Sequence, residues 1–148
     1  MTTEGPPAGG FAPLVPELDV EDIAVSLDFW CATLGFRIAY SRPERGFAFL
    51  EREGAQVMLC RRNGSWEVGP LDRPFGRGIN FQIEVKAAGP ILAALAARDW
   101  PLFRPTEDSW YRMAGEEVGC REFLVQDPDG YLLRFSESLG RRPAQNAV

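Results

Sequence analysis

The sequence contains no histidine. The commonest protein ligand for zinc, iron and nickel and the commonest general base are therefore missing together. Cysteine is scarce: Cys31, Cys60 and Cys120 are odd in number, far apart and without a C-x-x-C pair. That excludes the usual zinc and disulfide frameworks and points to a reduced, cytoplasmic setting. No apolar run approaches the roughly 20 residues a membrane span needs. Met1–Gly10 has neither a basic n-region nor an apolar h-region, so it reads as a loose tail rather than a signal peptide. Basic clusters go no further than dipeptides such as Arg61-Arg62, on a chain of net charge −5. Nucleic-acid binding needs a concentrated basic patch, which is absent. The acidity by itself would favour a cationic small ligand.

What is present is a chain of 148 residues, 45% hydrophobic and 25% charged, long enough for one domain with its own core. Leu18 and Val20 alternate with Glu17 and Asp19, as in a half-buried strand. Asp22 stands at a helix N-cap ahead of Ile23, Leu27, Trp30 and Leu34, which share one helical face, and Gly35 stops the helix. Strand-like runs follow at Phe36–Tyr40, Gly46–Glu51 and Gln56–Cys60, with Glu53-Gly54 as the tight turn. After residues 63–77 the pattern restarts. Asn80–Val85 alternates strictly, Pro90 opens a helix through Ile91, Leu92 and Leu95, and strands are expected at Pro101–Arg104, Trp110–Ala114, Glu122–Gln126 and Tyr131–Ser136. Asp127-Pro128-Asp129-Gly130 is a strong turn signal. The layout is an internal duplication, strand–helix–three strands twice.

The stretch Val15-Pro16-Glu17-Leu18-Asp19-Val20-Glu21-Asp22-Ile23, with Phe29-Trp30 and Leu34-Gly35-Phe36, resembles the opening of the glyoxalase, bleomycin-resistance and extradiol dioxygenase proteins. The closing Arg121-Glu122-Phe123, Asp127–Gly130 and Phe135 are most similar to the bleomycin-resistance branch. The resemblance implies the α+β vicinal-oxygen-chelate fold, with two tandem βαβββ modules whose curved mixed sheets surround a cleft. It sets a single domain at 13–137, with modules at 13–62 and 78–137 and a linker at 63–77. Tails are expected at 1–12, flexible, and at 138–148.

Enzymes of that superfamily hold a divalent metal, usually with His, His and Glu. By motif those positions fall on Val15, Asn80 and Arg134. Valine offers no donor, an asparagine amide binds weakly, and arginine repels cations. No metal or other cofactor is expected, and no catalytic residue is assigned.

Side chains two apart share a sheet face. If Val15, Asn80 and Arg134 face the cleft, then Glu17, Asp19, Gln82, Glu84, Leu132 and Ser136 do too. Leu18, Val20, Phe81, Ile83, Val85, Leu133 and Phe135 then pack on the helices. The competing reading is an ordinary solvated sheet face. Arg134 can grip a carboxylate or phosphate of a ligand, or pair with Glu17 or Glu84. Phe47, Phe49, Trp66, Phe75, Trp110 and Tyr111 lie where they can rim a cleft, with Phe49 and Trp110 better suited to the core. Bleomycin-resistance proteins are dimers that sequester the drug in clefts between subunits, with aromatic rings stacking on it. By that resemblance Phe47 is the stacking ring and Trp66 and Trp110 assist it. The tryptophan that family carries just before Arg-Glu-Phe is replaced here by Gly119-Cys120. Cys120 beside Arg121 has a setting that can lower a thiol pKa.

The expected function is sequestration of a small organic ligand, an antibiotic among the candidates, in a metal-free cleft of a homodimer. Glu17, Phe47, Trp66, Asn80, Gln82, Glu84, Trp110 and Arg134 are the ligand-binding candidates, with no nucleic-acid or membrane partner. One alternative is a glyoxalase- or dioxygenase-like enzyme working through Glu17 or Arg134, or through an unusual oxygen site such as Glu17 with Glu84. A second is a regulatory or protein-binding family member without small-molecule affinity.

Overall fold

The structure, a computed structural model, describes residues 4–145. Met1–Thr3 and Asn146–Val148, which belong to the expected tails, lie outside the described residues. The chain divides into two compact units: the chain up to Arg77 with Asp127–Tyr131, and Gly78–Gln126 with the chain from Leu132 onward.

In the first unit the strands are β1 (Glu17–Val20), β2 (Arg37–Arg42), β3 (Phe47–Arg52) and β4 (Ala55–Arg61). They form a mixed sheet in the order β1-β4-β3-β2, with β1 and β4 parallel. Asp22 caps helix α1 (Ile23–Leu27) as its position predicts, accepting from the Ala24 and Val25 amides at 3.0 and 3.2 Å. The helix then widens into π-type turns over Asp28–Thr33 and ends at Gly35, whose φ is +78°. Ser26, Phe29 and Thr33 join Trp30 and Leu34 on the buried side, and Ile23 and Leu27 are only half-buried. Glu53 and Gly54 both take positive φ, closing the β3–β4 hairpin in two residues.

One face of this sheet carries Leu18, Val20, Ala48, Leu50, Val57 and Leu59, buried together with Phe29, Trp30 and Leu34. The pairing register sets two rows on the other face. One runs Glu17, Met58, Phe49, Tyr40; the next runs Asp19, Cys60, Phe47, Arg42.

The Asp127–Tyr131 turn is an anchor of the first unit rather than a simple connector. Asp127 accepts from the Trp30 indole at 3.1 Å and from the Asp129 and Tyr131 amides at 3.0 and 2.9 Å. Asp129 accepts from Ser26 Oγ at 3.3 Å and pairs with Arg73 at 2.9 Å. Tyr131 donates its hydroxyl to the Asp19 carbonyl at 2.8 Å. A side chain at residue 130 would collide with Pro74, which a Cβ would meet at 2.5 Å, so Gly130 is required on space as well as on its positive φ. Phe75, expected at a cleft rim, is instead buried edge-on against Tyr131, because this turn covers it.

The N-terminal segment, expected as a flexible tail, is tied to the same sheet. Gly5 donates to the Ala39 carbonyl at 2.9 Å and Ala8 to Glu51 at 3.2 Å. Gln56 exchanges two bonds of 2.8 Å with the Ala12 amide and the Gly10 carbonyl. Phe11 sets its edge against Phe49, 5.4 Å between ring centres.

The second unit repeats the design with β5 (Asn80–Val85), helix α2 (Gly89–Ala97), β6 (Arg104–Met113), β7 (Glu116–Gln126) and β8 (Leu132–Pro143). The order is β5-β8-β7-β6, again with the first and last strands parallel. Ile83, Val85, Phe123, Val125, Leu133 and Phe135 are buried together with Ile91 and Leu95 of α2. Of the separate strands expected at 101–104 and 110–114, the first is irregular up to Phe103, and Arg104–Met113 forms one long edge strand with an irregularity between Arg104 and Glu107. And β8 runs past residue 137 through Pro143, paired with the start of β7 at Glu116, so residues 138–143 belong to the sheet rather than to a tail. Both segments lie on a largely exposed hairpin, where burial imposes no apolar alternation.

Candidate functional site

On the outward face of the first sheet lies a cavity of about 580 Å³. Tyr40 and Phe47 line it, and Phe49, outside the lining, stacks on Tyr40 at 5.2 Å and 16° to extend the aromatic layer. Met58 and Cys60 complete that layer, and Val15 packs against it. Trp66, from the loop after β4, stands over the cavity; it is 62% exposed and donates its indole N–H to Glu17 at 3.2 Å. Opposite, the Arg42 guanidinium lies 5.0 Å from the Phe47 ring centre and 5.5 Å from that of Tyr40. Glu17, Phe47 and Trp66 thus meet in one place. Tyr40, Arg42 and Met58 were not singled out from sequence; the parallel β1–β4 register puts Met58 in line with Glu17, and the β3–β4 hairpin puts it opposite Phe49.

Asp19 lies one row along. Burial, and then the neighbouring Glu67 carboxylate, push its carboxyl above the usual range, against the pull of Arg62. Its Oδ1 is buried without a hydrogen-bond partner. Arg62 is itself engaged by Glu21 at 2.7 Å and by Glu67. Burial also raises the Cys60 thiol, with Glu17 and Asp19 adding to it.

A smaller cavity, about 330 Å³, lies on the second sheet and is lined by Asn80, Arg104, Glu122 and Arg134 among others. Arg134 donates to Gln82 at 2.7 Å, and its Nε is 3.6 Å from Glu122. The carboxylate beside Arg134 is therefore Glu122, not Glu17 or Glu84. The register places Glu122 on β7 and Glu84 on β5 alike, each opposite Ser136 and diagonal to Arg134, and the guanidinium turns to the β7 side. Glu84 is exposed. Trp110 enters neither cavity. Its ring lies on Gly119, where an added Cβ would meet it at 2.7 Å, and the Arg142 guanidinium covers it at 3.9 Å from the ring centre. The indole missing before Arg-Glu-Phe is thus supplied to that spot from the neighbouring strand. Cys120 is not activated either: burial and the Glu122 carboxylate raise its pKa, because the side chain turns to Glu122 at 3.3 Å and not to Arg121.

The donor set does not fit a divalent cation. Val15 belongs to the apolar layer, Asn80 offers one amide, and Arg134 brings a guanidinium held by Gln82. Among the described residues no three His, Cys, Asp or Glu side chains cluster to hold a metal.

The family model of the glyoxalase/bleomycin resistance protein/dioxygenase superfamily matches residues 14–135. The chain belongs to that superfamily. A superfamily member from Vibrio splendidus 12B01 is 34% identical over 83% of this chain and 95% of its own, with a TM-score of 0.39. TioX from Micromonospora sp. ML1 is 22% identical over 87% of this chain and 100% of its own, with a TM-score of 0.67. A member from Sphaerobacter thermophilus DSM 20745 is 23% identical over 86% and 98%, with a TM-score of 0.58. No curated protein matches the chain. The two structures of higher TM-score show the superfamily's fold, in keeping with the repeated strand order of the two units. No helix among the described residues is long and apolar enough to cross a membrane.

Proposed function

We propose that this superfamily member is a bleomycin-resistance-like binding protein that holds a small organic ligand without a metal. The observation that carries the reading is the aromatic cavity on the first sheet, where Phe47 and Trp66 meet Glu17. Its volume falls in the range of small-molecule sites, roughly 300–1,000 Å³, and planar rings with a few polar groups are the usual lining of such sites. Within the second unit, Asn80 and Arg134, with Gln82 holding the guanidinium, are the proposed polar ligand contacts of that unit's own cavity. Glu84 takes a peripheral place in this reading, and Trp110 acts through packing. Sequestration of an antibiotic, in a cytoplasmic homodimer, is the specific form proposed.

A thermal-shift titration with bleomycin, in parallel with zinc or manganese and with EDTA, tests this. A ligand that binds only the native state raises the melting temperature by mass action. A saturable rise with bleomycin, unchanged by EDTA, supports metal-free sequestration. A rise with metal alone, reversed by EDTA, overturns it in favour of a metal-dependent enzyme. Sedimentation of the purified protein tests the dimer.

A further inference from the structure

The arginines of the first unit other than Arg77 fall into two groups. Arg37, Arg52, Arg62 and Arg73 each pair with a carboxylate: Glu51, Glu53, Glu21 with Glu67, and Asp129. Arg42, Arg45 and Arg61 have no carboxylate partner among the described residues, and all three line the aromatic cavity. Glu17 is the single carboxylate lining it, already accepting a hydrogen bond from Trp66. The chain carries a net charge of −5, yet three of its cations without a carboxylate partner among the described residues share this one opening.

Such an arrangement is costly unless something answers it. Three guanidiniums at one opening repel each other, and closing a ligand over them removes water that screens them. A cationic ligand would add to the repulsion. An anion relieves it, and guanidinium donors suit the two oxygens of a carboxylate, sulfonate or phosphate. The anion would not come alone, because the floor beneath is aromatic. Arg42 spans both features, lying over the Phe47 and Tyr40 rings with its charge at the rim.

We propose that the cavity selects a planar aromatic acid, its ring against Tyr40, Phe47 and Trp66 and its anionic group at Arg42, Arg45 and Arg61. This rests on the ligand-binding reading above and gives that ligand its charge. It reverses the expectation from overall acidity, since a bound molecule meets the local field of the cavity before the mean charge of the chain.

Calorimetric titration at neutral pH with three probes of one ring system, naphthoate, naphthylmethylammonium and naphthylmethanol, tests it on the full chain. Naphthoate is expected to bind about tenfold or more tightly than the ammonium probe, and to weaken as salt is raised. Arg42→Ala with Arg45→Ala should erase the preference while the neutral alcohol still binds. Both arginines are exposed, and the single variant Arg45→Ala gives a milder case in which the preference narrows without loss of fold. Equal or tighter binding of the ammonium or neutral probe overturns the anionic assignment and leaves ligand binding standing. So does naphthoate binding that the arginine variants leave unchanged. If none of the three binds, the aromatic cavity is not a ligand site and both readings fall.

Discussion

Trp30 Nε1 donates to Asp127 Oδ2 at 3.1 Å across 97 residues of sequence, joining the first helix to the turn between the last two strands. Both groups are buried, so neither can exchange this bond for one with water. Trp30→Phe keeps most of the ring but strands the carboxylate oxygen. The expected cost is about 1–3 kcal/mol in urea unfolding. A variant as stable as the parent would show that the bond contributes nothing.

Asp127 also gives the protein a pH signature. Burial pushes its carboxyl up to about 6, against the pull of the Trp30 and Tyr131 hydrogen bonds. Because the folded value lies above the unfolded one, folding favours the protonated form. That contribution is complete below about pH 4 and is lost as pH rises through about 6. Asp127→Asn cannot titrate. The stability difference between parent and variant should therefore shift against the parent by about 2–3 kcal/mol from pH 4 to pH 7. A constant difference would place the carboxyl at its ordinary value.

Gly119 lies beneath Trp110 with no room for a methyl group, since a Cβ would sit 2.7 Å from the ring. Gly119→Ala is expected to destabilise by about 1–3 kcal/mol through overpacking. In the Trp110→Ala background the same change should cost far less. Additive effects in this double-mutant cycle would contradict the contact.

Gln56 ties down the N-terminal segment through the Gly10 carbonyl and the Ala12 amide. Gln56→Ala should speed hydrogen exchange at Ala12 and protease cleavage ahead of Val15, with at most about 1 kcal/mol lost globally. Unchanged exchange at Ala12 would mean the segment is held by other contacts.

Much of the framework is legible in sequence because local chemistry decides it. The Asp22 cap, the Glu53-Gly54 hairpin and the alternation of Asn80–Val85 each carry their own signal. What escapes is register. The sheet irregularity between Ile38 and Tyr40 resets which residues of β2 face outward, so Tyr40 and Arg42 cannot be placed in the aromatic cavity by counting alternate residues. Arg134 lies on the expected face, but its partner Glu122 depends on how β7 pairs with β8. Asp127–Gly130 announces a turn, while its burial depends on Trp30, Ser26 and Asp19, about a hundred residues away. The Gly119–Trp110 substitution is likewise invisible until the strands are paired.

A small molecule is expected to bind in the aromatic cavity on the first sheet. The indole N–H resonances test it most directly, because the four tryptophans sit in four different places. Trp30 is bonded to Asp127, Trp100 to the Gln126 carbonyl, Trp66 to Glu17, and Trp110 lies over Gly119. Titrating ¹⁵N-labelled protein with naphthoate should move the Trp66 signal saturably and leave Trp30 and Trp100 in place. Movement of Trp110 with Trp66 unmoved, or of Trp66 with divalent metal alone, would contradict the account.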